Sequence, residues 1–122
     1  MHDEGGDAAC WAHTVGDDET VRRGSLHAGA PPEHGERFDA LARIGGVTIE
    51  LIVSGPGVAP TRYLQDHDEW VVVLDGAARL TLDGTPVELH AGEWVLLPAH
   101  VPHEVVSVAA GTRWLAVHGP AK

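Results

Sequence analysis

The chain has 122 residues, a hydrophobic fraction of 43% and a formal net charge of −10, which suits one globular domain with one core and argues against disorder. Eight scattered Lys and Arg form no basic cluster, so nucleic acid and anionic membranes are poor partners and a small molecule is the expected one. The lone Cys10 has no internal disulfide partner, and no apolar run reaches the ~20 residues of a membrane helix, so a cytoplasmic setting is expected.

Residues 1–24 are rich in acid, Gly and Ala and lack periodicity. Six acids and no Lys or Arg fall within residues 1–20, and the expectation is a mobile tail. Residues 25–45 are expected to hold a short helix and a linker. The helix would run from Pro31-Pro32 to Arg43, with Glu33 and Glu36 in its first turn, an apolar stripe of Phe38, Leu41 and Ala42, and Gly45-Gly46 as its stop.

From residue 46 to 122 every segment reads as strand. GVTIELIVSG alternates Val47, Ile49, Leu51 and Val53 with Thr48, Glu50, Ile52 and Ser54. EWVVVLDG is β-branched and ends at Asp75-Gly76. ARLTLDGTPVEL places two alternating runs about Asp83-Gly84, a strong hairpin signal. EWVLLP, HEVVSVAAG and TRWLAVH complete about seven short strands, which predicts an all-β sandwich or barrel.

The stretch QDHDEWVVVLDG runs from a polar end into an apolar one. Strand alternation puts Tyr63, Gln65, His67, Glu69, Val71 and Val73 on one face. A buried row of polar groups is costly without partners, whereas a barrel mouth holding water, a metal or a polar ligand supplies them. Trp70, Trp94 and Trp114 sit in strands and are read as core or dimer interface, with a homodimer expected because small barrels leave edge strands to cover. His118 lies in phase with Trp114 and Ala116, and facing the cavity is one of its two options. His2, His13, His27, His34 and His90 are read as surface or loop residues, and His100 as a steadying residue of the loop after Pro98.

These residues resemble the cupin family. Glu69, six residues, then Gly76 matches the end of the first cupin motif, G-x5-H-x-H-x3,4-E-x6-G. Gly92, five residues, Pro98, then His100 and His103 match the second, G-x5-P-x-G-x2-H-x3-N. QDHDEWVVVLDGAARL, PAHVPHEV and WLAVH look more narrowly like small single-domain bacterial cupins that share no common activity. The resemblance implies a single double-stranded β-helix (jelly-roll) barrel and one divalent metal held by three His and one Glu. Glu69 and His103 keep that pattern. The first motif's two His fall at Tyr63 and Gln65, the second motif's Gly falls at His100, and its Asn at Ser107.

Three arrangements are compatible with these departures. Gln65, Glu69 and His103 hold Mn, Fe or Zn, with Tyr63 or water completing the shell. A register shift brings His67 into a missing place. Or no metal binds, and the pocket holds an organic ligand by hydrogen bonds. The resemblance implies a metal-dependent enzyme on a small polar metabolite. One His and one Glu suit Lewis-acid chemistry of the lyase, isomerase or cyclase type better than oxygen activation, with Tyr63 or His67 moving a proton. The alternative is a non-catalytic binding module for a small molecule or a partner enzyme.

Overall fold

A computed structural model describes residues 21–122, all of it strand, turn and loop. Nine strands follow in order: β1 (Glu36–Ile44), β2 (Val47–Ser54), β3 (Thr61–Tyr63), β4 (His67–Asp75), β5 (Ala77–Leu82), β6 (Thr85–His90), β7 (Trp94–Leu97), β8 (His103–Val108) and β9 (Arg113–Ala121). They form two antiparallel sheets, ordered β1-β2-β9-β4-β7 and β3-β8-β5-β6. Neighbours distant in sequence make this a jelly roll, the two-sheet solution to exposed edges. No helix of the described residues is long and apolar enough to cross a membrane.

Two expectations are corrected. The helix expected from Pro31-Pro32 to Arg43 is absent; Glu36–Ile44 is strand β1, paired along its length with β2. Gly45 (φ 61°) and Gly46 turn the chain between these strands and stop no helix. The barrel therefore starts at residue 36 rather than 46. The expected tail over 1–24 lies, through residue 20, outside the described residues.

The core lies between the sheets. Val71, Val73, Leu97, Trp114 and Ala116 of the larger sheet meet Ala78, Leu80 and Leu89 of the smaller, each at most 5% exposed. Burying a Val or Leu side chain contributes roughly 1.5–3 kcal/mol. Trp114 also needs a partner for its indole N–H, and Nε1 donates to Ser54 Oγ at 3.2 Å. That hydroxyl donates in turn to Glu36 Oε2 at 2.5 Å. Trp114→Phe leaves the Ser54 lone pair unmatched and is expected to cost about 1 kcal/mol, read from urea denaturation midpoints.

Three adjacent strands change character along their length in the same direction. Ser54, Ile52 and Glu50 on β2, Trp114, Ala116 and His118 on β9, and Val73, Val71 and Glu69 on β4 alternate onto the inner face, and the pairings set them side by side. One end of the barrel is thus packed and the other is open and polar.

Candidate functional site

The open end encloses a cavity of ≈ 250 Å³. One wall carries Glu36, Glu50, Glu69 and His118 on the larger sheet; the other carries Tyr63, Gln65 and His103. Ile52, Val71, Leu80, Leu97 and Trp114 form the apolar floor. No Lys or Arg lines it.

Strand β3 explains the second wall. It is three residues long, and its pairing with β8 sets Tyr63 opposite His103, their rings stacked with centroids 5.2 Å apart and planes at 16°. The loop that presents His103 is fastened twice. His100 N donates to Gln65 O at 2.7 Å, and Ala99 N donates to Asp68 Oδ1 at 2.9 Å. His100 has φ 65°, so the family glycine it replaces answers a left-handed backbone need. Lys122 Nζ, 2.7 Å from Asp68 Oδ2, holds that exposed carboxyl below its usual range, with the Ala99 amide adding to the effect.

Glu69 and His103 are 8% and 7% exposed, and both line the cavity. No hydrogen bond or ion pair joins the Glu69 carboxylate to another described residue. His103 Nδ1 and Gln65 Oε1 are buried without partners. Buried polar atoms in native folds are nearly always satisfied, and these two have no partner among the described residues. The Tyr63 phenol is pushed above its usual value of 10.0, first by burial and then by the carboxylates of Glu36, Glu69 and Glu50. It therefore holds its proton at neutral pH and offers an O–H.

His67 does not line the cavity. The β4–β9 register shifts between His67 and Glu69, with the extra residue on β9 (His67 opposite Ala121, Glu69 opposite His118), so His67 keeps its parity but lies at the strand's end, past the cavity lining. Its Nε2 lies 3.0 Å from His118 Nδ1, and its Nδ1 lies 3.3 Å from Asp66 Oδ1. His118 faces the cavity, its Nε2 3.1 Å from Glu50 Oε1. His67 thus meets the cavity only through His118. The sequence reading put Glu50 on the polar phase of β2 without a role and gave Glu36 to a helix. The in-phase run Glu50, Ile52, Ser54 was the available signal.

The residues fall short of a three-His, one-Glu metal set, because Tyr63 and Gln65 stand at two His places. Among the described residues no group of three or more His, Cys, Asp or Glu side chains is placed to hold a metal ion.

A two-sheet jelly roll with polar groups gathered at one open end is the architecture that the sequence resemblance implies. The family model for the cupin domain (Cupin_2) matches residues 50–118. The chain belongs to the cupin domain family. A protein of Ralstonia eutropha JMP134 to which a mannose-6-phosphate isomerase activity is ascribed is 34% identical, with a TM-score of 0.68 over 83% of this chain and all of that one. KdgF of a Halomonas species shares the fold at 20% identity, with a TM-score of 0.66 over 72% of this chain and 81% of its own. The quercetin 2,3-dioxygenase of Bacillus subtilis is 41% identical over 56 residues, which span 45% of this chain and only 17% of that relative.

Proposed function

We propose that this cupin domain is an enzyme of the lyase, isomerase or cyclase type that moves a proton on a small polar metabolite at its barrel mouth. One observation carries the reading: a buried, unpaired carboxylate (Glu69), a proton-holding phenol (Tyr63) and a hydrogen-bonded carboxylate–imidazole pair (Glu50 and His118) share one cavity. Acid–base chemistry needs groups of differing proton affinity around one substrate. On an α-hydroxy carbonyl, Glu69 takes the proton from the hydroxyl-bearing carbon, and the Tyr63 O–H hydrogen-bonds the enediolate that forms. The hydroxyl proton passes to the former carbonyl oxygen, and the proton held by Glu69 is returned to the former carbonyl carbon. The 34%-identical relative supports an isomerase type. One His and one Glu make a poor version of the facial iron triad, which disfavours an oxygenase.

A second reading is favoured by the two unpartnered atoms, Gln65 Oε1 and His103 Nδ1. One divalent ion (Mn, Fe or Zn) would be held by Gln65, Glu69 and His103, and it would supply Lewis acidity towards a carbonyl oxygen. Elemental analysis of protein purified without chelator or nickel resin separates the two.

The direct test follows deuterium wash-in from D₂O to a set of small hydroxy-carbonyl compounds, with and without an amino group, by proton NMR. Metal-stripped wild-type protein is expected to exchange the proton beside the carbonyl. Exchange that requires added Mn²⁺, Fe²⁺ or Zn²⁺ supports the second reading. Saturable binding with no exchange makes the domain a non-catalytic binding module.

The assembly and setting belong to the same proposal: a homodimer in the cytoplasm. Trp70 and Trp94, ring centroids 5.9 Å apart, stand on the outer face of the larger sheet beside Leu96, and Trp94 and Leu96 are more than half exposed. Light scattering at about 100 μM is expected to give twice the chain mass, and Trp94→Glu to give a monomer. A wild-type monomer contradicts it.

A further inference from the structure

We propose that the ligand of this cavity is a small organic cation, an ammonium or guanidinium group on an apolar body, and that phosphorylated and carboxylate-bearing molecules are turned away. This rests on the reading that the cavity is the ligand site, and it names the substrate class of that site.

Charge comes first. Glu36, Glu50 and Glu69 line a single cavity of ≈ 250 Å³, and none of its lining residues is Lys or Arg. Ser54 donates to Glu36, and His118 bonds Glu50. Glu69, buried to 92%, has neither kind of support among the described residues. The same three carboxylates push up the Tyr63 phenol, so their field is negative where a ligand would sit.

The count of open hydrogen-bonding positions is an independent observation pointing the same way. His103 is 93% buried, lines the cavity and leaves Nδ1 unpartnered; Gln65 lines it too and leaves Oε1 unpartnered. An amide oxygen and a carboxylate only accept, and a neutral imidazole accepts at one nitrogen. The Tyr63 O–H and the Gln65 amide N–H donate, but with three carboxylates in the lining the site offers more acceptors than donors. An ammonium brings three N–H donors and no acceptor, and a guanidinium brings five. A phosphate or carboxylate brings the reverse, and proteins meet such groups with Arg, Lys or backbone amides.

Shape completes the case. Tyr63, Phe38 and Trp114 present aromatic surface to the cavity, and a cation over such a face gains about 0.5–2 kcal/mol. Val71, Leu80 and Leu97 receive an apolar body. The volume, ≈ 250 Å³, lies just below the roughly 300–1,000 Å³ of pockets for drug-sized ligands, which suits a small molecule. The phosphosugar in the name of the 34%-identical relative therefore does not carry over: its phosphate would enter a cavity of three carboxylates without a counter-charge.

The test uses three probes of one shape on metal-stripped protein at pH 7.5: cyclohexylammonium, cyclohexanol and cyclohexanecarboxylate. Binding is followed by the NMR shift of the Trp114 indole N–H. The ammonium is expected to bind at least tenfold more tightly than the alcohol, with no saturable binding of the carboxylate. Glu69→Gln is expected to weaken the ammonium at least tenfold and leave the alcohol within twofold. Equal binding of ammonium and alcohol overturns the charge preference and leaves the ligand cavity standing. Carboxylate binding as tight as ammonium binding, or ammonium binding indifferent to Glu69→Gln, overturns it as well. Failure of all three probes to shift Trp114 overturns both the preference and the cavity reading beneath it.

Discussion

Glu69→Gln is expected to cut the proton-exchange rate by about 100-fold or more while leaving the protein as stable or more so. General acid–base catalysis typically supplies 10²–10⁴ in rate, and an amide oxygen is too weakly basic to replace a carboxylate. The stability effect has the opposite sign because of where Glu69 sits. It is 8% exposed, with Val71 next along the same inner face and Leu97 opposite it on β7. Its carboxylate opens on the cavity that Glu36 and Glu50 also line, so removing the charge relieves like-charge repulsion, and a gain of about 0.5 kcal/mol is expected, or about 2 °C in Tm for a domain of this size. Calorimetry beside the exchange assay checks both parts. Loss of activity together with loss of stability makes Glu69 a structural residue and removes it from the site. Functional groups held at a cost to the fold are a recurrent trade.

Gly76→Ala is expected to destabilise the fold by about 3 kcal/mol or more, the largest effect of any single substitution considered. Gly76 joins β4 to β5 with φ 93°, where a side chain is strained whatever the space. Space is also missing. A Cβ at Gly76 would strike Thr112 at its hydroxyl, Cα and Cβ. Thr112 has no exposed surface and cannot swing aside, because its Oγ1 donates to Ala109 O at 2.6 Å and accepts from Ala77 N at 3.2 Å. Gly84 is the internal control: its φ is 84°, but nothing lies within 4 Å of its would-be Cβ. Gly84→Ala should therefore show backbone strain alone, about 1 kcal/mol. Urea midpoints for the two variants within 1 kcal/mol of each other would mean that Thr112 yields, and that the family glycine at position 76 is kept for its backbone angle only.

The sequence made most of the barrel legible and the site about half so, for identifiable reasons. β2 and β4 to β9 showed in their alternation, and the Asp83-Gly84 turn appears as expected, with φ 48° and 84° and Leu82 opposite Thr85. β1 was misread because Phe38, Leu41 and Ala42 satisfy a helical period, while the shift between Ala40 and Ala42 spoils the strand period. β3 has only three residues, too few for any periodicity to register. In the site, parity put Tyr63, Gln65 and Glu69 on one face and the motif resemblance added His103, and all four line one cavity. Parity alone does not set depth: His67 is the first residue of β4 and meets His118 instead of the cavity. It also undervalued Glu50, because β2 is covered on both faces. Leu51 and Val53 are buried on one side while Glu50 and Ile52 line the cavity on the other. On the covered face Arg113 donates to the carbonyls of Leu26, Ala28 and Gly29, holding that segment against the barrel. Such long-range cover leaves no local pattern to read.

Three carboxylates, from β1, β2 and β4, line one cavity with the half-buried phenol of Tyr63, the chain's single tyrosine. Its ionisation can therefore be followed without overlap by absorbance at 295 nm, with circular dichroism as a check that the fold persists. The folded-state value lies above the unfolded one, so the proton is bound more tightly in the fold. The associated stability is fully present below about pH 10 and is lost as pH rises through the folded value. The predicted result is a midpoint above 10.0 in the native protein that moves down towards 10.0 in Glu36→Gln and in Glu69→Gln. A native midpoint at or below 10.0, or one that neither substitution moves, would contradict the convergence of those carboxylates on a single site.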